Sequence, residues 1–111
     1  ANFLRRDAHD LRASLDTWMT SDISDNAIFD GNLERALNAI TAHSVIMPSR
    51  TDLYFTPEDS ALETAMMPNA AFRPIESIWG HRAGNPSLNP EDEAVLRTAV
   101  ADLLNSSPTA N

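Results

Sequence analysis

The sequence predicts an α/β chain in which short parallel strands are flanked by helices. Three observations carry that expectation. Two short apolar runs, Ser44-Val-Ile-Met47 and Ala71-Phe-Arg-Pro-Ile75, are separated by a helix start at Thr56-Pro-Glu-Asp59. A strand–helix–strand unit of this kind implies parallel pairing with a right-handed crossover. A second start of the same form, Asn89-Pro-Glu-Asp92, opens a final apolar-periodic run. Two strands do not make a stable α/β sheet by themselves. The strands are therefore expected to want neighbours that this chain does not supply.

Taken in order, Asp7 to Thr20 reads as an amphipathic helix, because Leu11, Leu15, Trp18 and Met19 recur on one face of a 3.6-residue period. That stripe is expected to be a packing face. Ser21 to Gly31 is polar and turn-rich, and reads as a loop. Asn32 caps a short helix through Ile40, with Leu33, Ala36, Leu37 and Ile40 on one side. The length and β-branching of Ser44-Val-Ile-Met47 favour a buried strand.

Thr56 then supplies an N-cap, Pro57 the first helical position, and Glu58 and Asp59 the acids that the helix dipole favours there. This helix is expected to run to about Met67 and to stop before Pro68. Ala71 to Ile75 is the weaker strand, since Pro74 removes a ladder donor and suits an edge or a strand end. After Asn89, the residues Leu96, Ala99, Val100, Leu103 and Leu104 form the expected buried face of the last helix. The expected organisation is a first helix and loop over 1–31, an α/β segment over 32–105, and a polar tail over 106–111.

The chain has 111 residues, enough for one domain at most. Its 42% hydrophobic and 22% charged content is ordinary for a globular protein. Sixteen acidic and eight basic residues give a net charge of -8, which argues against nucleic acid as a partner, because phosphate binding rests on Lys and Arg. No basic amphipathic stretch suits a membrane surface, and no apolar run approaches the roughly 20 residues that a bilayer crossing needs. There is no cysteine, hence no disulfide and no thiolate metal site. No signal peptide is visible at the start, and a cytoplasmic location is expected. The start also has no initiator Met, which suggests a processed piece or the later part of a longer polypeptide.

Two loops carry candidate chemistry. Ligands of open parallel sheets bind beyond the carboxyl ends of the strands. Asp52 follows the first strand and His81 the second. An Asp that accepts a hydrogen bond from one imidazole nitrogen fixes the tautomer, and it stabilises the imidazolium formed when the other nitrogen takes a serine proton. An Asp in a polar turn also serves as a plain turn former, and a His after Trp79-Gly80 as an ordinary loop residue. The three histidines, His9, His43 and His81, are too widely spaced for a metal site. The acids Glu58-Asp59 and Glu91-Asp92-Glu93 are accounted for by helix dipoles. No glycine-rich phosphate loop is present, so no nucleotide cofactor is expected.

The segments Asp7-Ala-His-Asp-Leu-Arg-Ala-Ser-Leu-Asp-Thr-Trp18, Asp22-Ile-Ser24, Met47-Pro-Ser-Arg-Thr-Asp-Leu-Tyr-Phe-Thr-Pro-Glu-Asp59, Met67-Pro-Asn69 and Ile78-Trp-Gly-His-Arg-Ala-Gly-Asn85 resemble the C-terminal part of homoserine O-acetyltransferase-like α/β-hydrolases. The likeness extends over about Asp7 to Leu104. It implies a C-terminal segment of the α/β-hydrolase fold, with the N-terminal sheet and nucleophile elbow absent from this chain. It implies that Asp52 is the triad acid and His81 the general base. The order Ser, Asp, His along the chain of such enzymes leaves the last two places to these residues. The first helix resembles the element leading out of the family's lid.

No Gly-x-Ser-x-Gly elbow occurs here; Gly31, Gly80 and Gly84 are the only glycines. The chain alone is therefore expected to be inactive. Its partner would be an N-terminal part carrying the serine. The resemblance implies a small-molecule acyl donor such as acetyl-CoA, used as substrate with no bound cofactor, and a hydroxyl acceptor or water. A homo-oligomer is compatible with this. The competing reading is a non-catalytic acidic interaction module, for which Asp52 and His81 together have no use.

Overall fold

The computed structural model describes residues 5–85 and 89–106. The chain divides into two compact units, Ala1–Ala36 and Leu37–Asn111.

In the first unit, α1 (Ala8–Thr20) begins at Asp7, whose carboxylate accepts the His9 N–H at 2.7 Å. That bond satisfies one of the donors every helix leaves unpaired at its start. The expected packing stripe is corrected here. α1 buries none of its residues, and Leu15, Trp18 and Met19 are exposed. A 3.6-residue period states which side chains share a face, not what covers that face. The loop that follows is held by its own polar side chains. Asp22 Oδ1 accepts both the backbone N–H and the hydroxyl of Ser24, at 2.8 and 2.7 Å. Ser24 is buried, and its carbonyl receives the N–H groups of Asn26 and Gly31. Asn32 then caps α2 (Leu33–Asn38) by accepting the Arg35 N–H at 2.9 Å. α2 ends short of the expected Ile40, because the Ile40 N–H turns back in a tighter bond to the Leu37 carbonyl at 3.1 Å.

The second unit is a two-stranded parallel sheet with helices. β1 (Ser44–Ile46) pairs with β2 (Ala70–Phe72) in the register Ser44 to Ala70, Val45 to Ala71 and Ile46 to Phe72. α3 (Pro57–Ala65) joins them and packs against β2, and α4 (Pro90–Asn105) packs against β1. β1 is half-buried rather than buried.

Both strands are short for a reason visible in the sequence. Arg73 and Ile75, on either side of Pro74, donate to the carbonyls of Ile46 and Pro48 at 2.9 and 2.8 Å. Pro74, lying between them, faces the other way, where its missing N–H costs this ladder nothing. Pro48 is different. Ser44 and Arg50 both donate toward the second strand, to Asn69 and Ile75. By that alternation Pro48 occupies a donor position and supplies none. Regular pairing therefore stops at Ile46, and resumes as a single bridge between Ser49 and Ile75.

The two helix starts match their sequence signals. Thr56 Oγ1 accepts the Asp59 N–H at 3.1 Å, and Asn89 Oδ1 accepts the Glu91 N–H at 3.0 Å. α3 stops two residues before Met67, with Met66 as its C-cap. On α4, Ala99 is buried and Leu96 and Leu103 are half-buried, but Val100 and Leu104 are exposed, so the expected buried face is only partly covered. Glu93, Leu96, Arg97, Val100, Ala101 and Leu104 line an open groove of about 490 Å³ along it. No described helix is long and apolar enough to cross a membrane.

Candidate active site

The two strands deliver two loops to the same end of the sheet. The first, 48–56, folds back on itself in a turn. The Asp52 N–H bonds to the Ser49 carbonyl at 3.1 Å. The Asp52 carboxylate then turns forward, and its Oδ1 accepts the N–H groups of Tyr54 and Phe55 at 2.8 and 3.3 Å. This is the turn-forming habit of Asp. Here it has a second effect, because it fixes the carboxylate with Oδ2 pointing away from the turn.

The second loop leaves the sheet at Ile75 and closes a single 3-10 turn, Gly80–Arg82, which presents His81. The Arg82 N–H bonds to the Trp79 carbonyl at 3.1 Å, and the Ala83 N–H to the Gly80 carbonyl at 3.0 Å. His81 Nδ1 lies 3.0 Å from Asp52 Oδ2. The two sequence-predicted residues, 29 positions apart, are thus in hydrogen-bond contact.

Their environments differ in a useful way. The Asp52 side chain is 8% exposed and that of His81 is 51% exposed. Burial pushes the Asp52 carboxyl upward, but the Tyr54 N–H, the His81 ring and the Phe55 N–H together outweigh it, and hold the group below the usual carboxylate range. Asp52 is therefore a carboxylate at neutral pH and can only accept. His81 Nδ1 must then be the donor, so in the neutral ring the proton sits on Nδ1 and the lone pair on Nε2. Tyr54 and Phe55 flank the imidazole, with ring centroids 5.1 and 5.4 Å away. Such an arrangement is able to take a proton at Nε2 from a hydroxyl presented on its open side, and to return it to a leaving group.

Several supporting residues were not singled out from the sequence. Ser77 is buried and donates to Asp92 Oδ2 at 2.7 Å. Asp92 is only 5% exposed. Dipole complementation is thus an incomplete account of the Glu91-Asp92-Glu93 run, since its middle member also buttresses the base loop. Ser77 Oγ also receives the Trp79 N–H at 3.2 Å. Arg50 and Glu76, on facing loops, form a two-pronged ion pair with bonds of 2.6 and 3.1 Å. The guanidinium bond holds the Glu76 carboxyl below its ordinary value. The signal available in the sequence was weak: a Ser and an Asp 15 residues apart, the Asp sitting where a surface acid is expected.

The other histidines are elsewhere. His9 is exposed on α1, and His43 Nδ1 lies 2.9 Å from Ser106 Oγ. Among the described residues, no group of His, Cys, Asp or Glu is arranged to hold a metal ion.

No family model matches this chain. It is 37% identical over 79 residues to an ethyl acetate hydrolase of Pseudomonas veronii, and 33% identical over 79 residues to a probable esterase of Corynebacterium glutamicum. Each alignment takes in 71% of this chain and 22% of the relative. Among solved structures, the acetyl esterase MekB superposes with a TM-score of 0.65 at 38% identity, over 69% of this chain and 22% of that one. An acetylester hydrolase from Corynebacterium glutamicum superposes with a TM-score of 0.69 at 28% identity, over 80% of this chain and 25% of that one. The chain thus matches about a fifth of the length of its curated relatives. Its homologues and structural neighbours are esterases of the α/β-hydrolase type, and the part it shares with them is a short parallel sheet with helices.

Proposed function

We propose that this chain is the C-terminal portion of an acetyl-ester hydrolase, and that it supplies the acid Asp52 and the general base His81 of a Ser-Asp-His triad. The serine, its elbow and the oxyanion hole would lie on an N-terminal part. The observation that carries this reading is the 3.0 Å bond between His81 Nδ1 and an oriented, ionised Asp52. A non-catalytic interaction module would have no use for that bond.

In this mechanism Nε2 of His81 removes the serine proton as the serine oxygen attacks the ester carbonyl. Asp52 stabilises the imidazolium that results. His81 then hands the proton to the departing alcohol, leaving an acetyl-enzyme. Water, activated by the same nitrogen, releases acetate. The similar proteins are described as hydrolases of ethyl acetate or of acetyl esters. This favours small acetyl esters as the substrate class. It also favours water as the acceptor over the hydroxyl acceptor of a homoserine O-acetyltransferase.

The test is turnover of an acetate ester by the complete protein. His81→Ala should lower kcat by about a millionfold and leave the urea unfolding midpoint near that of the parent. Unchanged turnover would refute the triad assignment.

A further inference from the structure

We infer that Thr51 is a positioning residue that locks the base loop to the acid loop through its hydroxyl, and so sets the alignment of His81 on Asp52. The inference rests on the triad reading and adds to it a residue that makes no contact with His81 in the described bonds. Thr51 Oγ1 donates to the Ser77 carbonyl at 2.9 Å and accepts the Gly80 N–H at 3.0 Å. One hydroxyl therefore uses a donor and an acceptor site to grip the second loop at two points. Its placement is what matters. Thr51 precedes Asp52 and Gly80 precedes His81, so the tie joins the residues that immediately precede the two functional ones.

The far end of the grip is itself anchored. Ser77, whose carbonyl Thr51 holds, is buried and bonded through its hydroxyl to Asp92 on α4. The close approach also depends on residue 80 having no side chain. Gly80 has φ +53, and a Cβ there would lie 3.3 Å from the Thr51 carbonyl oxygen. Without the hydroxyl, the Ser77 carbonyl and the Gly80 N–H would turn to water, and the 3-10 turn that carries His81 would be free to tilt. Productive proton transfer is sensitive to misplacement on the scale of an ångström, which costs about a hundredfold.

The experiment compares Thr51→Val and Thr51→Ser in the complete protein. Val keeps the branched shape and removes the hydroxyl, whereas Ser restores it. Thr51→Val should lower kcat by about ten- to a hundredfold, with KM within about twofold. It should also shift or broaden the low-field proton resonance of His81 Nδ1–H. Thr51→Ser should return both toward the parent. A Thr51→Val protein with parental kcat and an unmoved resonance overturns the inference, as does a Ser variant that rescues neither. The resonance does not depend on turnover. If His81→Ala retains activity, the triad reading fails, and the clasp between the loops is still decided by the resonance.

Discussion

Gly80→Ala tests the idea that the two loops must approach closely for the dyad to work, and Gly84→Ala is its internal control. Both glycines sit in the left-handed region, at φ +53 and +80. An Ala at either position carries a backbone cost of roughly 1–2 kcal/mol. The surroundings then separate them. A Cβ at Gly84 would meet Ile75 Cδ1 and Leu96 Cδ1 at 3.6 Å each, an ordinary contact. A Cβ at Gly80 would meet the Thr51 carbonyl oxygen at 3.3 Å, and this carbonyl belongs to the peptide bond that enters Asp52. The backbone there has to yield by a few tenths of an ångström. Scaled from about a hundredfold per ångström, the loss in kcat is about three- to tenfold. In urea, both variants should lower the midpoint by about 0.3–2 M, taking a slope of about 1–3 kcal/mol per M. In turnover of an acetate ester by the complete protein, only Gly80→Ala should be slow. Equal loss of rate in the two variants would refute the argument from close approach.

Three further outcomes follow from the same geometry. Asp52→Asn keeps the shape of the acid but removes its charge and its hold on the Nδ1 tautomer, so kcat should fall about ten-thousandfold. The pH dependence of stability has a definite sign. Because the folded state holds the Asp52 carboxyl below its unfolded value, its contribution is present in full above the ordinary carboxylate range, and is lost as pH falls through the lowered folded value. The urea midpoints of the parent and of Asp52→Asn should therefore differ more at about pH 6 than at about pH 3; a constant difference would contradict this. Ser77→Ala leaves the buried Asp92 without its donor and should cost about 1–3 kcal/mol, and Ser77→Ala with Asp92→Ala should cost less than Ser77→Ala with Asp92 retained.

What the sequence made legible is local chemistry. Thr56-Pro57 and Asn89-Pro90 mark helix starts because a side-chain oxygen and a fixed φ solve the end of a helix within three residues, and both caps form as read. Ser44 to Ile46 reads as a strand because β-branching is a property of the residues themselves. Asp52 and His81 stand out because each follows a strand and lies in a distinctive segment. The ties that hold them do not. Thr51 to Ser77, Thr51 to Gly80 and Ser77 to Asp92 link positions 26, 29 and 15 residues apart, through hydroxyl, carboxylate and backbone groups that are common in any loop. Nor does an apolar period tell what covers it, which is why Trp18, Val100 and Leu104 are exposed where packing was expected.

That last contrast bears on how the site keeps its shape. Among the described residues the buried apolar set is small, Ala36, Leu37, Pro48, Pro57, Ile75 and Ala99, and the buried polar set is larger, with Ser49, Asp52, Ser77 and Asp92 all around the two loops. No buried polar side-chain atom among the described residues lacks a partner. A half-satisfied polar network costs stability, whereas a fully satisfied one fixes a single arrangement. The loops are therefore held by directed bonds and by the parallel ladder beneath them rather than by a large apolar core. In the proposed enzyme this divides the labour. The N-terminal sheet would supply the apolar cover that α4 now lacks, and the serine. The relative placement of acid and base would already be set within this chain, by bonds that do not depend on that cover.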